Sequence, residues 1–138
     1  MTDRNRLLLR LIFAAIAFGF VNAAELEIKP ELPKTGVNLA RSTGGWLNVE
    51  VTGNHSFVVS FFDQEKKPIA ADAVRGVVRF FYTARENKPP VPLHLSEDSK
   101  KLVSLAKVRP PHVFRVFLVL FGAGDLDIGE TYNFRYPG

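Results

Sequence analysis

The sequence contains no cysteine. No disulfide can staple the chain and no thiolate metal site can form. Its only methionine is Met1, which also removes a methionine-rich copper(I) site. There is no GxSxG elbow, no phosphate-binding glycine loop and no HExxH helix. Ser56 follows His55, but neighbours on a strand point to opposite faces, so the two do not make a nucleophile and its base. No catalytic residue is assigned, and the chain reads as a non-enzyme. After residue 24 no stretch shows a long helical period, and no apolar run approaches the ~20 residues of a membrane-spanning helix.

What is present begins with a charged and then apolar leader. Arg4, Arg6 and Arg10 precede the apolar run Leu11 to Val21, and Val21 and Ala23 occupy the small-residue positions of a cleavage site. This is the form of a secretory signal peptide over residues 1–23. The expected mature part is a single domain, 24–138, exported to a periplasm or secreted. An uncleaved anchor is the alternative. Taking away three arginines and one aspartate leaves 15 basic against 13 acidic residues. The charges are dispersed along the chain, without a basic stripe interleaved with aromatics. That argues against nucleic acid as a partner.

Turn residues divide residues 24–138 into short alternating stretches. Leu26 and Ile28 suggest an edge strand, stopped by Pro30 and Pro33. "TGVNLARSTGG" reads as a loop ending in a Gly44-Gly45 turn. "WLNVEV" places Leu47, Val49 and Val51 on one face. With "HSFVVSFFD" it predicts a hairpin whose loop is Thr52-Gly53-Asn54. Strands are further expected in "VRGVVRFFYTA", in "LHLS" as a short edge strand, in "LVSLAKV", and in the tail with Tyr132, Phe134 and Tyr136 on one side. Seven or eight short strands with frequent turns predict an all-β fold, a two-layer β-sandwich or small barrel.

"HVFRVFLVLFG", His112 to Gly122, is the most apolar run in this domain. It is too short for a spanning helix, and the domain has too few strands of that length for a membrane barrel. As a strand it turns Phe114, Val116, Leu118 and Leu120 toward a core. The opposite parity presents Arg115, Phe117, Val119 and Phe121. A loop of the same chain, such as 30–45, is the plainer cover for that second face. A protein partner or a second copy of the chain is the other, which makes these four residues a candidate interaction face. The Arg115 guanidinium is expected to reach water or a carboxylate such as Glu50.

His55, His94 and His112 lie at or near strand ends, where strands can converge. Imidazoles suit copper(II) or zinc, and His55 and His112 are the candidate ligands. "DLDIGE", Asp125 to Glu130, does not follow the EF-hand spacing and reads as a solvated turn. No cofactor is required by any motif.

One stretch resembles a known class. "GGWLNVEVTGNHSFVVSFFDQEKKPIAADAVRGVVRFFY", Gly44 to Tyr82, joins a glycine pair, a histidine-bearing hairpin, a strand ending in aspartate and a Lys-Pro turn. "VPLHLSEDSKKLVSLAKV", Val91 to Val108, adds a short strand, a polar turn and another strand. Together they resemble the small periplasmic Ig-like or transthyretin-like domains found near heavy-metal efflux adaptors. The resemblance implies an exported β-sandwich and carries metal handling to His55 alone. The leading expectation is a domain that binds or supports a protein partner. A histidine-based metal protein is the second expectation, and a carrier of a small apolar ligand in an aromatic-lined pocket is the third.

Overall fold

The computed structural model describes residues 29–83, 89–122 and 129–137. The expected signal peptide, the Leu26–Ile28 strand, Asp125 and Asp127 lie outside the described residues. Nine strands form within them: β1 (Val37–Ala40), β2 (Trp46–Val51), β3 (Phe57–Phe62), β4 (Pro68–Ile69), β5 (Arg75–Phe81), β6 (Val91–Leu95), β7 (Lys101–Ser104), β8 (Phe114–Phe121) and β9 (Glu130–Tyr136). All pairings are antiparallel, in the order β1-β2-β3-β7-β6-β5-β8-β9, with β4 added beside β3.

The fold is all-β, but its strands belong to one continuous sheet. The two ends of that sheet meet. Arg41, directly after β1, grips Glu130 at the start of β9. Further along, the Val51 amide of β2 donates to the Tyr136 hydroxyl of β9 at 3.1 Å. The result is a near-closed barrel or sandwich. Closure of this kind protects strand edges that would otherwise offer unpaired backbone groups.

Alternation explains the interior. On β8, Phe114, Val116, Leu118 and Leu120 are all buried, whereas Arg115 and Phe117 are exposed. Each such inward aliphatic or aromatic side chain contributes roughly 1.5–3 kcal/mol by leaving water. Phe57, Phe80, Phe114 and Tyr136 form a chain of ring contacts with centroids 5.1–5.5 Å apart. Leu47, Val49, Val59, Phe61 and Leu102 complete the opposite wall. Side chains therefore fill the interior, and an enclosed aromatic pocket for a carried ligand is not formed among the described residues.

Two local expectations are corrected. The "TGVNLARSTGG" loop contains β1, because Val37 and Leu39 turn toward the core while the backbone pairs with β2. Asn48, on the other parity of β2, is buried as well. Its amide donates to the Thr35 carbonyl and to Asn38 Oδ1. "LHLS" is no edge: β6 runs between β5 and β7, with Leu93 in the core.

One tight turn recurs. Arg41–Gly45, Thr52–Ser56 and Asp63–Lys67 each have the first amide donating to the last carbonyl, and the fourth amide donating back to the first carbonyl. The fourth residue has positive φ each time: Gly44 at 102°, His55 at 64° and Lys66 at 66°. This is a type I turn closed by a left-handed residue. The hairpin loop is thus Gly53-Asn54-His55, one residue later than expected. His55 belongs to the turn and not to the strand face that carries Phe57.

Candidate functional site

The second face of β8 is assembled with its neighbours. Strand register sets Phe117 opposite Arg79 of β5 and Asn133 of β9, and sets Arg115 between Phe81 and Arg135. Alternation then gathers Val77, Phe81, Phe117, Val119 and Phe121 on the outside of β5 and β8. They line an open groove of about 540 Å³ with Arg79 and Arg115 on its walls. Phe117 is 36 % exposed. Segment 30–45 does not line this groove: it forms β1 against β2 and reaches β9 only at Glu130, on the other parity of that strand.

Four arginines stand on this face, Arg79 and Arg115 on the groove itself and Arg75 and Arg135 beyond it: Arg75 and Arg79 on β5, Arg115 on β8 and Arg135 on β9. Arg75 lies over the Phe121 ring at 4.4 Å, a cation–π contact that leaves its charge unneutralised. Arg115 donates only a long bond, 3.5 Å, to Asn133 Oδ1. The expected partner Glu50 is on β2, opposite Val58 of β3, and cannot serve Arg115. The outward positions of β5, β8 and β9 carry no carboxylate, and among the described residues none of the four arginines forms an ion pair. Charges that are dispersed in sequence are therefore collected into a basic face interleaved with phenylalanine. Sequence reading missed this because the arginines come from three strands separated by up to 60 positions.

Arg41 was invisible as a special residue in its loop. Its side chain is only 3 % exposed, and it makes a two-pronged contact with Glu130, Nη2–Oε1 2.6 Å and Nε–Oε2 3.1 Å, plus a 2.9 Å contact to Asp72. Burial acts to lower the Arg41 pKa, but the carboxylates outweigh it and raise it. Burial acts to raise that of Glu130, but hydrogen bonds from Arg41 and Tyr132 hold it below its ordinary value. Burial, then the bond to Glu130, pushes the Tyr132 phenol up to about 12. Glu130 is thus engaged by the fold and is not part of a solvated turn. This cluster locks the closure.

The histidines separate into a pair and an outlier. His55 Nδ1 and His112 Nε2 are 3.2 Å apart, with the rings edge to face at 65°. His94 stands on β6 between Arg75 and Val103. Among the described residues no three His, Cys, Asp or Glu side chains gather as a metal cluster. No described helix is long and apolar enough to cross a membrane.

Comparison of the chain with models of protein families, with curated proteins and with solved structures finds no match.

Proposed function

We propose that this is an exported domain of Ig-like or transthyretin-like type that docks a protein partner on the outer face of β5, β8 and β9. It performs no catalysis in this reading. The partner is a segment that sets apolar side chains into the groove and carboxylates against its rim.

The observation that carries the reading is the direct pairing of Arg115 with Arg135 on a face whose described strand positions carry no acid. Like charges opposite each other across two strands destabilise a sheet. Phe117, 36 % exposed beside them, leaves part of its apolar ring in water, a second local cost. Both are relieved by one kind of occupant, an acidic and apolar surface. A second copy of the same face would set arginine against arginine, which disfavours a symmetric dimer through it. A polyanion would satisfy the arginines but not the phenylalanines at the centre of the groove.

Titration of the isotope-labelled protein with a peptide alternating glutamate with leucine and phenylalanine tests this by amide chemical shifts. Shifts are expected in 75–81, 115–121 and 131–135, with loss of binding in Arg79→Glu/Arg115→Glu. Shifts elsewhere, equal binding of a lysine-for-glutamate peptide, or equal binding of a single-stranded oligonucleotide overturns the proposal.

A further inference from the structure

We infer that His55 and His112 form a binding site for one divalent copper or zinc ion, independent of the partner face. Two nitrogens that each sit 2.0–2.1 Å from an ion and 3.2 Å from one another subtend roughly 100° at it. That lies between the right angle of a square-planar copper(II) site and the tetrahedral angle of zinc. Without an ion, the same separation is bridged by a shared proton, one ring N–H facing the other ring's lone pair. Loading leaves both rings neutral. The facing proton moves to the outer nitrogen of its own ring, or is released if that ring was charged, and both facing lone pairs then bind the ion.

The fold builds the pair. The β2–β3 turn fixes His55 at φ 64°, a conformation that glycine occupies in the β1–β2 turn. The His55 carbonyl accepts the Val108 amide at 2.7 Å, which ties the segment after β7 to the hairpin. Val108 is itself buried in the core, and its carbonyl lies 3.4 Å from His112 Nε2. His112 is backed by the Phe114 ring at 6.5 Å between centroids. Positions 55 and 112 are thus brought together by main-chain anchors and do not depend on the ion. The neighbouring charges are cationic: Lys107, whose ammonium donates to Ser56 Oγ at 3.4 Å, and Arg109, stacked on Tyr82. No described carboxylate completes the set. The site therefore holds its ion by two imidazoles and leaves the other positions to water or an incoming ligand. This suits exchangeable binding, and the order of divalent affinities for nitrogen ligands favours copper(II) over zinc.

The test uses tag-free protein loaded with one equivalent of copper(II) or zinc, read by native mass spectrometry and, for copper, by electron paramagnetic resonance. One ion per chain is expected, with hyperfine splitting from two imidazole nitrogens. His55→Gly keeps the turn conformation, and His112→Gln keeps a polar side chain. Each is expected to weaken loading at least tenfold, and His94→Gln to leave it unchanged. Absence of a retained ion, a wild-type spectrum in the His55→Gly/His112→Gln double variant, or equal loss on His94→Gln overturns the inference.

Discussion

Arg41 shows how one side chain can decide whether the barrel closes. Its guanidinium is buried and Glu130 is its main partner, while the Asp72 contact is half solvated. Removing Glu130 leaves the buried guanidinium only the half-solvated Asp72, and breaking a buried pair in this way typically costs about 3–5 kcal/mol. Removing Asp72 costs about 1 kcal/mol or less. Denaturant unfolding of Glu130→Ala and Asp72→Ala is expected to rank them in that order. The depressed pKa of Glu130 adds a pH signature. Its ionised form is favoured by folding, so its stabilisation is present above the ordinary value of 4.5 and is lost as pH falls through the lower folded value. Glu130→Gln removes that acid-limb slope. Tyr132 has the opposite sense: its contribution is present below pH 10.0 and is lost as pH rises toward 12. None of this was legible in sequence. Arg41 sits in a polar loop, and its partner is 89 positions away.

At the scale of elements, β8 carries two roles on its two parities. Leu118→Ala is expected to cost about 2–5 kcal/mol, because Leu118 is fully buried. Phe117→Ser, one position away, is expected to change stability by no more than about 1 kcal/mol, because Phe117 faces out. Parallel thermal unfolding of the two variants measures this directly. The parity of β8, β9 and the β2–β3 hairpin was readable in sequence because strict alternation is a local signal. β1 was not, since four residues between turn signals leave too little pattern to count. The β2–β3 turn was read one residue early. Its left-handed position holds histidine where glycine is the usual cue. Relaxing that position in His55→Gly is expected to raise stability by up to about 1 kcal/mol. A loss of stability would mean that the ring contact with His112 outweighs the backbone strain.

At the scale of the whole molecule, the nine strands of the described residues form one sheet and set three surfaces apart: a filled interior, a closure locked by Arg41, and a basic, phenylalanine-bearing outer face. Which residues lie inward was legible from periodicity. Which strands lie side by side was not, because the order β7-β6-β5-β8-β9 depends on long-range pairing. For that reason Arg115, Phe117, Val119 and Phe121 could be named as a face in advance, but the arginines of β5 and β9 that give it its charge could not. The attraction proposed between this face and an acidic partner is expected to weaken with added salt, since exposed charges are screened over about 10 Å at 0.1 M. The central claim is the docking surface, and site-specific photo-crosslinking in the native host tests it most directly. A photoreactive residue replaces Phe117, with the same residue at exposed Glu65 as control. The account predicts a discrete adduct of a different, acidic-surfaced protein from position 117 only, abolished by Arg79→Glu/Arg115→Glu. No adduct, an adduct of twice the chain's own mass, or equal adducts from both positions would contradict it.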